Sequence, residues 1–193
     1  QNCLKLVQKQ LAQTTDDARR LELKELGDVL ERVPMYPAQN FYEAIQALYL
    51  TSVACEIGQA ISYIVPGRLD RSLYPYYQAD IQAGRLTPAK ALELIECLYI
   101  LVNVNTADGG AVSVMVAGQD GQGRDTTNEL SYLCLEALRR TNLVYPTVGV
   151  CWHEKTPHAL TALACDLIKN SICTPAFFGD DTIAKGMMHY GIA

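Results

Sequence analysis

Short valine-rich segments alternate with helical patterns through the second half of the chain, and this alternation constrains the fold more than any other feature. The strand candidates run from Ala111 to Ala117, from Thr147 to Trp152 and from Ala176 to Phe178. Strands that are joined through helices pair in parallel, so the pattern predicts an α/β fold that is mostly helical with a few short strands. So few strands leave sheet edges unpaired, which indicates that more protein covers them.

Polar caps and prolines mark the starts of the helical patterns. Asn40 with Glu43, and Thr126 with Glu129, have the spacing of capping boxes, and Thr87 precedes a proline at a first helical position. The apolar spacing predicts helices from about Asp16 to Pro34, Asn40 to Ile57, Thr87 to Val102, Thr126 to Leu138, Thr156 to Ile168 and Asp181 to Gly191.

Charge and composition exclude several classes of partner. The 193 residues carry a formal net charge of -5 and no run of Lys or Arg, which argues against nucleic acid and anionic membranes. No apolar stretch is long enough to span a bilayer, and the first residues lack the features of a secretory signal. The seven cysteines include no CxxC pair, which argues against zinc and dithiol chemistry. Core positions are expected for Cys55, Cys97, Cys134 and Cys165. A cytoplasmic location is therefore expected.

A glycine-rich loop from Gly118 to Gly123 follows a strand candidate and precedes a helix, where many α/β proteins bind phosphate. It matches neither the Walker A nor the dinucleotide pattern, and Asp120 and Asp125 would repel an anion. A turn held by Asp caps is favoured, and an α/β phosphate-binding domain stays an alternative. Cys151 and His153 would share one face of a strand, which favours packing over a metal site.

Ordered polar and glycine blocks extend over most of the chain, from Arg32 to Gly191. In order, they are Arg32-Val33-Pro34-x-x-Pro37-Ala38, Phe41-x-Glu43-Ala44-x-Gln46, Gly67-Arg68-x-Asp70, Tyr74-Pro75-Tyr76-Tyr77, Asp120 through Asp125-x-x-Asn128-Glu129-Leu130-Ser131, His153-x-x-x-Thr156-Pro157 and Pro175-Ala176 with Asp180-Asp181. This set resembles the large domain of the glycyl radical enzymes, the pyruvate formate-lyase and glycerol/diol dehydratase superfamily.

The resemblance implies a ten-stranded barrel of two half-barrels, of which residues 1–193 form a single partial domain. It also implies a lyase or dehydratase acting on a small molecule, and it is compatible with a homodimer. An activating enzyme that uses S-adenosylmethionine and an iron-sulfur cluster would install its glycyl radical, and the chain itself would bind no cofactor directly. The sequence contains no Gly-Cys-x-Glu, Cys-Cys or Arg-Val-x-Gly-aromatic motif. The cysteine loop and the glycyl radical domain are therefore expected to be absent, and the chain alone inactive.

The resemblance assigns a candidate substrate contact to Ser62, in a loop that approaches the barrel interior of dehydratase-like relatives. Arg68 and Asp70 are expected to be structural, forming an ion pair or a cap that fixes their loop. Asp125, Asn128 and Glu129 are read as helix-start capping residues, and Asp120 and His153 belong to the structural blocks.

Departures from the family leave the substrate class open. Leu101 and Arg71 stand where lysine and glutamine are common, and Cys151-Trp152 stands where arginine is frequent. The alternative from another class is a noncatalytic scaffold or binding module that pairs through the tyrosines of the Tyr74–Tyr77 segment.

Overall fold

The structure is a computed structural model that describes residues 2–59, 65–106, 112–170 and 174–192. Helices account for most of these ranges, and four short strands lie between them. In chain order the elements are α1 (Asn2–Gln13), α2 (Asp17–Arg32), α3 (Phe41–Gln59), β1 (Gly67–Arg68), α4 (Leu69–Gln82), α5 (Pro88–Asn105), β2 (Ser113–Ala117), α6 (Glu129–Thr141), β3 (Thr147–Trp152), α7 (His158–Lys169), β4 (Ala176–Gly179) and α8 (Asp180–His189).

The four strands form one parallel sheet in the order β1-β2-β3-β4. The predicted class, α/β and mostly helical with short parallel strands, is therefore confirmed. Strands β2, β3 and β4 fall within a residue or two of their predicted bounds, except that Ala111 lies outside the described residues. Strand β1 was not predicted, because two residues carry no periodic pattern.

Within the described residues, one face of the sheet packs against helices, and most residues of the other face lie outside that core. Val114 and Val116 of β2, with Val148 and Val150 of β3, are buried in one core with residues of α3 to α7. Because side chains alternate along a strand, the register places a second set on the opposite face, which we call the open face. It carries Arg68, Ser113, Met115, Thr147, Gly149, Cys151 and Phe178.

Helix starts differ from the predicted ones at several points. Helix α6 begins at Glu129 with Asn128 as its cap, so the prediction of a Thr126 cap is wrong. Thr126 instead donates its hydroxyl to the carbonyl oxygen of Gly118 at 2.9 Å. Helix α8 begins at Asp180, and Asp181 does not cap it. Helices α1 and α4 were not predicted, and Pro75 lies inside α4.

The helices α3 and α5 are rich in apolar residues, and their polar residues do not gather on one face. Some of their apolar residues face solvent. Ile57 at the end of α3 is 82% exposed, and Val104 at the end of α5 is 72% exposed. An amphipathic surface helix ordinarily turns its apolar side towards the core and its polar side towards solvent. None of the described helices is long and apolar enough to cross a membrane.

The cysteines only partly follow the prediction of core positions. Cys134 is buried, Cys55 is partly exposed, and Cys97 and Cys165 are exposed. Their helix patterns contain enough other apolar residues to form the buried stripe without them, which sequence periodicity alone does not reveal.

Candidate functional site

Polar side chains gather where the strands end, along one edge of the parallel sheet. Arg68 is the last residue of β1, the turn Ala117-Gly118-Gln119 begins at the last residue of β2, and Asp180 follows β4. The carboxyl ends of parallel strands lie at the same edge, so residues far apart in sequence meet there. In open α/β sheets this edge is also the usual place for ligands. We call it the carboxyl edge.

Asp70 joins three elements at the carboxyl edge. It is 1% exposed, and its Oδ2 atom accepts hydrogen bonds from the backbone N–H of Ala117, at 2.7 Å, and from the hydroxyl of Ser131. Ala117 has a φ of 62°, an uncommon conformation for a residue other than glycine. Burial raises the pKa of the Asp70 carboxyl, while the hydrogen bonds from Ser131 and Ala117 act in the opposite direction. The carboxyl group therefore fixes the turn after β2 to α4 and α6.

Arg68 connects the first strand to the last. Its Nη2 atom donates to Oδ1 of Asp180 at 2.6 Å, and its Nη1 atom donates to the carbonyl oxygen of Gln119 at 3.1 Å. The other oxygen of Asp180 accepts the backbone N–H of Gln119 at 2.8 Å. The expected ion pair between Arg68 and Asp70 is thus replaced by one with Asp180. That partner is 112 residues away, and no local pattern indicates it.

Gly118 leaves the space through which Arg68 passes. Its φ is +93°, and a Cβ atom built there would lie 2.6 Å from Nη1 of Arg68 and 2.9 Å from the Cβ atom of Cys151. Both the conformation and the crowding therefore favour glycine. Burial raises the pKa of the Cys151 thiol, and the nearby Arg68 lowers it only in part.

The loop from Gly118 to Asp125 folds onto its own carboxylate. Asp120 accepts the backbone N–H groups of Gln122 and Arg124, and its other oxygen pairs with Nε of Arg124 at 2.7 Å. The Arg124 backbone N–H is the largest of the causes that lower the pKa of Asp120 to about 2. A carboxylate already occupies the donors that a phosphate would need, so the geometry does not favour the phosphate-binding alternative.

His153 is fixed on both sides of its ring. It is 2% exposed, its Nε2 lies 3.0 Å from Oδ1 of Asp125, and its Nδ1 accepts the backbone N–H of Lys155 at 3.3 Å. Asp125 also accepts the hydroxyl of Thr127, so it does not cap α6 as expected. Cys151 and His153 are buried and Trp152 between them is exposed, which follows the predicted alternation. Within the described ranges no three His, Cys, Asp or Glu residues could hold a metal ion.

The start of α6 combines a cap with a side-chain contact. The side chain of Asn128 accepts the backbone N–H of Leu130 at 2.9 Å, and the hydroxyl of Ser131 accepts the backbone N–H of Asn128 at 3.1 Å, which completes a capping box. Glu129 is the first helical residue rather than part of the cap. A hydrogen bond with Glu129 raises the pKa of Tyr74 to about 12.

A second polar cluster forms around the block from Arg32 to Glu43. Glu43 and Asp80 are buried carboxylates, and each accepts a backbone N–H of this segment: Glu43 from Gln39 at 2.8 Å and Asp80 from Phe41 at 2.7 Å. Arg32 donates to Glu43 at 3.3 Å. The segment before α3 is therefore held by one carboxylate from α3 and one from α4, which accounts for the spacing of this block.

Ser62, the candidate substrate contact, lies outside the described residues. Ser131 and Gln119 contribute to the carboxyl edge and were not identified as candidates. Their partners Asp70 and Asp180 are 61 residues away in each case, so no short-range signal points to them.

Helices alternate with the strands of this parallel sheet and cover one of its faces, which is the arrangement of an α/β protein. A family model described as pyruvate formate lyase-like matches residues 1–193. The chain belongs to this family, and the predicted relationship to glycyl radical enzymes is confirmed.

Three relatives illustrate the relationship. Isethionate sulfite-lyase of Oleidesulfovibrio alaskensis is 34% identical over 93% of this chain and 23% of its own length. A solved structure concerned with 1,2-propanediol dehydration in Roseburia inulinivorans is 32% identical with a TM-score of 0.91, covering 98% of this chain and 25% of that one. A glycyl radical enzyme from Archaeoglobus fulgidus is 27% identical with a TM-score of 0.92, covering 98% and 26%. The chain therefore spans about a quarter of the length of the relatives it matches.

Proposed function

We propose that this chain is a segment of a glycyl radical lyase or dehydratase and forms part of the wall of its reaction chamber. The observation that carries the proposal is the TM-score of 0.91 over 98% of the chain with a diol dehydration enzyme at 32% identity. In this proposal residues 1–193 are a single partial domain, and the reaction is radical cleavage of a carbon–carbon or carbon–heteroatom bond in a small molecule.

The open face of the sheet is the surface that would face the chamber. It carries apolar side chains, Met115 and Phe178, which meet above Gly149, and a hydroxyl pair in which Ser113 and Thr147 lie 2.9 Å apart. The helix-covered opposite face is already part of a packed core. An enclosed, largely apolar wall suits radical chemistry because it excludes water from reactive intermediates.

The residues of this chain do not fit the radical-bearing groups themselves. The sequence has none of the motifs that carry the glycyl radical or the thiyl cysteine in the resembling family. We therefore assign no catalytic residue and derive no reaction step here. The proposal includes an activating enzyme that uses S-adenosylmethionine and an iron-sulfur cluster, and a homodimeric assembly, as the family resemblance implies.

The substrate of the proposed enzyme is either a sulfonate or a diol. The relatives are named for isethionate and for 1,2-propanediol, at 34% and 32% identity, so the degree of similarity does not distinguish a sulfonate from a diol. We keep Ser62 as the proposed substrate contact because a hydroxyl group can hydrogen-bond the polar group of either.

Electron paramagnetic resonance tests the proposal. The 193-residue chain and the longer polypeptide encoded by its flanking reading frame are each incubated anaerobically with an activating enzyme and S-adenosylmethionine. We expect a glycyl radical signal from the longer polypeptide and none from the 193 residues. A radical on the 193-residue chain would contradict the proposal, and so would a longer polypeptide with no cysteine loop or glycine block. The second result would favour the scaffold alternative.

A further inference from the structure

The hydrogen bonds at the start of β2 and β3 fix the protons of two hydroxyl groups. The carbonyl oxygen of Val112 accepts the backbone N–H of Thr147 at 2.9 Å and the hydroxyl of Thr147 at 3.2 Å. A carbonyl oxygen has no proton, so the hydroxyl of Thr147 is the donor to Val112. Each hydroxyl has a single proton, and the contact of 2.9 Å between Ser113 and Thr147 therefore takes its proton from Ser113. Ser113 presents only lone pairs to a further partner.

Ser113 lies on the open face beside an apolar surface. Its neighbours in sequence are buried valines, so the alternation along β2 turns its half-buried side chain away from the helices. Met115 follows on the same face and meets Phe178 above Gly149, where a Cβ atom would lie 2.6 Å from the sulfur of Met115 and 2.7 Å from the ring of Phe178. A hydrogen-bond acceptor thus borders an apolar surface, which is the combination that a short-chain alcohol matches.

The open-face residues defined above offer little to an anion. Arg68 is the one cation among them, and its charge is already paired with Asp180 at 2.6 Å. Its Nη1 atom donates to the carbonyl oxygen of Gln119 at 3.1 Å. The oxygen atoms of a sulfonate only accept hydrogen bonds, so they would meet the lone pairs of Ser113 without a proton between them. This wall therefore favours a neutral substrate that has a hydroxyl group.

We infer that Ser113 is a specificity residue, which accepts a hydrogen bond from a hydroxyl group of a small neutral alcohol. The carbon chain of the alcohol lies against Met115 and Phe178. Thr147 is a positioning residue, because it acts on the substrate only by holding the proton of Ser113. This inference rests on the proposed function, in which the open face lines the reaction chamber. It selects the diol from the two substrate classes, since each oxygen of a diol carries a proton.

Steady-state kinetics of the longer polypeptide, activated as described above, test the role of Ser113. With 1,2-propanediol as substrate, Ser113→Ala should raise KM about tenfold and change kcat little, because one hydrogen bond to the bound substrate is lost. Thr141→Val is the matched control and should leave KM unchanged. The hydroxyl of Thr141 donates to the carbonyl oxygen of Ala137 within α6, away from the open face.

Fluorinated analogues test the direction of the hydrogen bond. Two analogues of propanediol each have one hydroxyl replaced by fluorine, which is similar in size but carries no proton. Ser113→Ala should weaken inhibition by one analogue about tenfold and leave inhibition by the other unchanged, because only one of them keeps the hydroxyl that donates to Ser113. Equal effects on both analogues would contradict the inference, and so would an unchanged KM for propanediol in Ser113→Ala.

Electron paramagnetic resonance separates failure of this inference from failure of the proposed function. If the unaltered longer polypeptide forms no glycyl radical, the proposed function fails and the inference fails with it. If the radical forms but KM does not depend on Ser113, only the inference fails. If Ser113→Ala does not fold, the unaltered enzyme decides, and it should act on propanediol or glycerol but not on isethionate. Turnover of isethionate, or no turnover of either alcohol, would overturn the inference.

Discussion

Asp70 shows how a single buried carboxyl group organises the carboxyl edge. Its Oδ2 atom accepts hydrogen bonds from the backbone N–H of Ala117 in β2 and from the hydroxyl of Ser131 in α6. Its Oδ1 atom has no hydrogen-bond partner among the described residues. A buried carboxyl group is harder to ionise than one in water. Asp70 therefore positions the turn, and its ionisation costs free energy in the folded protein.

This environment predicts an unusual pH dependence. Because the pKa of Asp70 is raised in the folded state, the folded protein keeps a proton that the unfolded chain has lost above the ordinary value of 3.8. The free energy of unfolding should therefore fall relative to Asp70→Asn as the pH rises from this value, by about 1.4 kcal/mol for each pH unit, until the pKa of the folded state is passed. Urea unfolding of both proteins over an acidic pH series measures the difference.

Asp120 provides the contrasting control for this experiment. Its pKa is lowered to about 2, so its stabilising contribution is present above the ordinary value of 3.8 and is lost as the pH falls from there. The difference between the unaltered protein and Asp120→Asn should hence change in the opposite direction. A flat curve for Asp70→Asn, or the same sign for both variants, would show that burial of Asp70 does not dominate its ionisation.

At the scale of elements, the sequence predicts those helices and strands that have a strong local signal. Thr87 caps α5 as expected, and the strand from Thr147 to Trp152 has its predicted bounds. Helix α4 was missed because Pro75 and the neighbouring tyrosines indicate a turn or a surface cluster, although Leu73 and Tyr77 form a buried stripe four residues apart. The spacing of Leu73 and Tyr77 predicts a helix only if a proline between them is allowed inside that helix.

The sequence motifs include Arg68, Asp70 and Asp180, which all lie at the carboxyl edge. Which of them pair with each other depends on where β1, β2 and β4 end in space, and the motifs do not contain this information. The preference of Arg68 for Asp180 over Asp70 follows from the parallel order of the strands, since Arg68 lies on the open face while the Asp70 carboxyl points to the backbone of β2 and to α6. A sequence pattern contains no such information.

The cap of α6 gives a prediction at this scale. Asn128→Ala removes the acceptor for the backbone N–H of Leu130 and should lower the free energy of unfolding by about 1 kcal/mol. Asn128→Ser keeps an acceptor and should recover most of the loss. Chemical denaturation provides the measurement. If Thr126 were the true cap, as its spacing to Glu129 indicates, Asn128→Ala would have almost no effect.

At the scale of the whole molecule, the described surface contains apolar residues that an isolated domain would ordinarily cover. Ile57 at the end of α3 and Val104 at the end of α5 are both exposed, on helices whose polar residues do not gather on one face. Exposed apolar residues become typical of a surface that contacts other protein where they adjoin one another. This observation agrees with a segment that occupies about a quarter of the length of its relatives.

The exposed helix ends predict that the 193-residue chain associates with itself. Sedimentation velocity over a concentration series should show growing species, and replacing Ile57 and Val104 together by lysine should reduce their fraction, because charge opposes burial of the two positions. Leu21→Lys, at an exposed position on α2, is the control and should leave the distribution unchanged. The same distribution of species for all three proteins would show that these helix ends do not mediate self-association.

The order of the strands has a consequence for synthesis on the ribosome. Each strand pairs with the strand that precedes it in the chain, so the nascent polypeptide can extend the sheet by one strand at a time as it emerges. Arg68, however, is synthesised 112 residues before its partner Asp180. During translation its guanidinium therefore stays without this partner until Asp180 is made, and formation of that contact marks the joining of β4 to the three earlier strands.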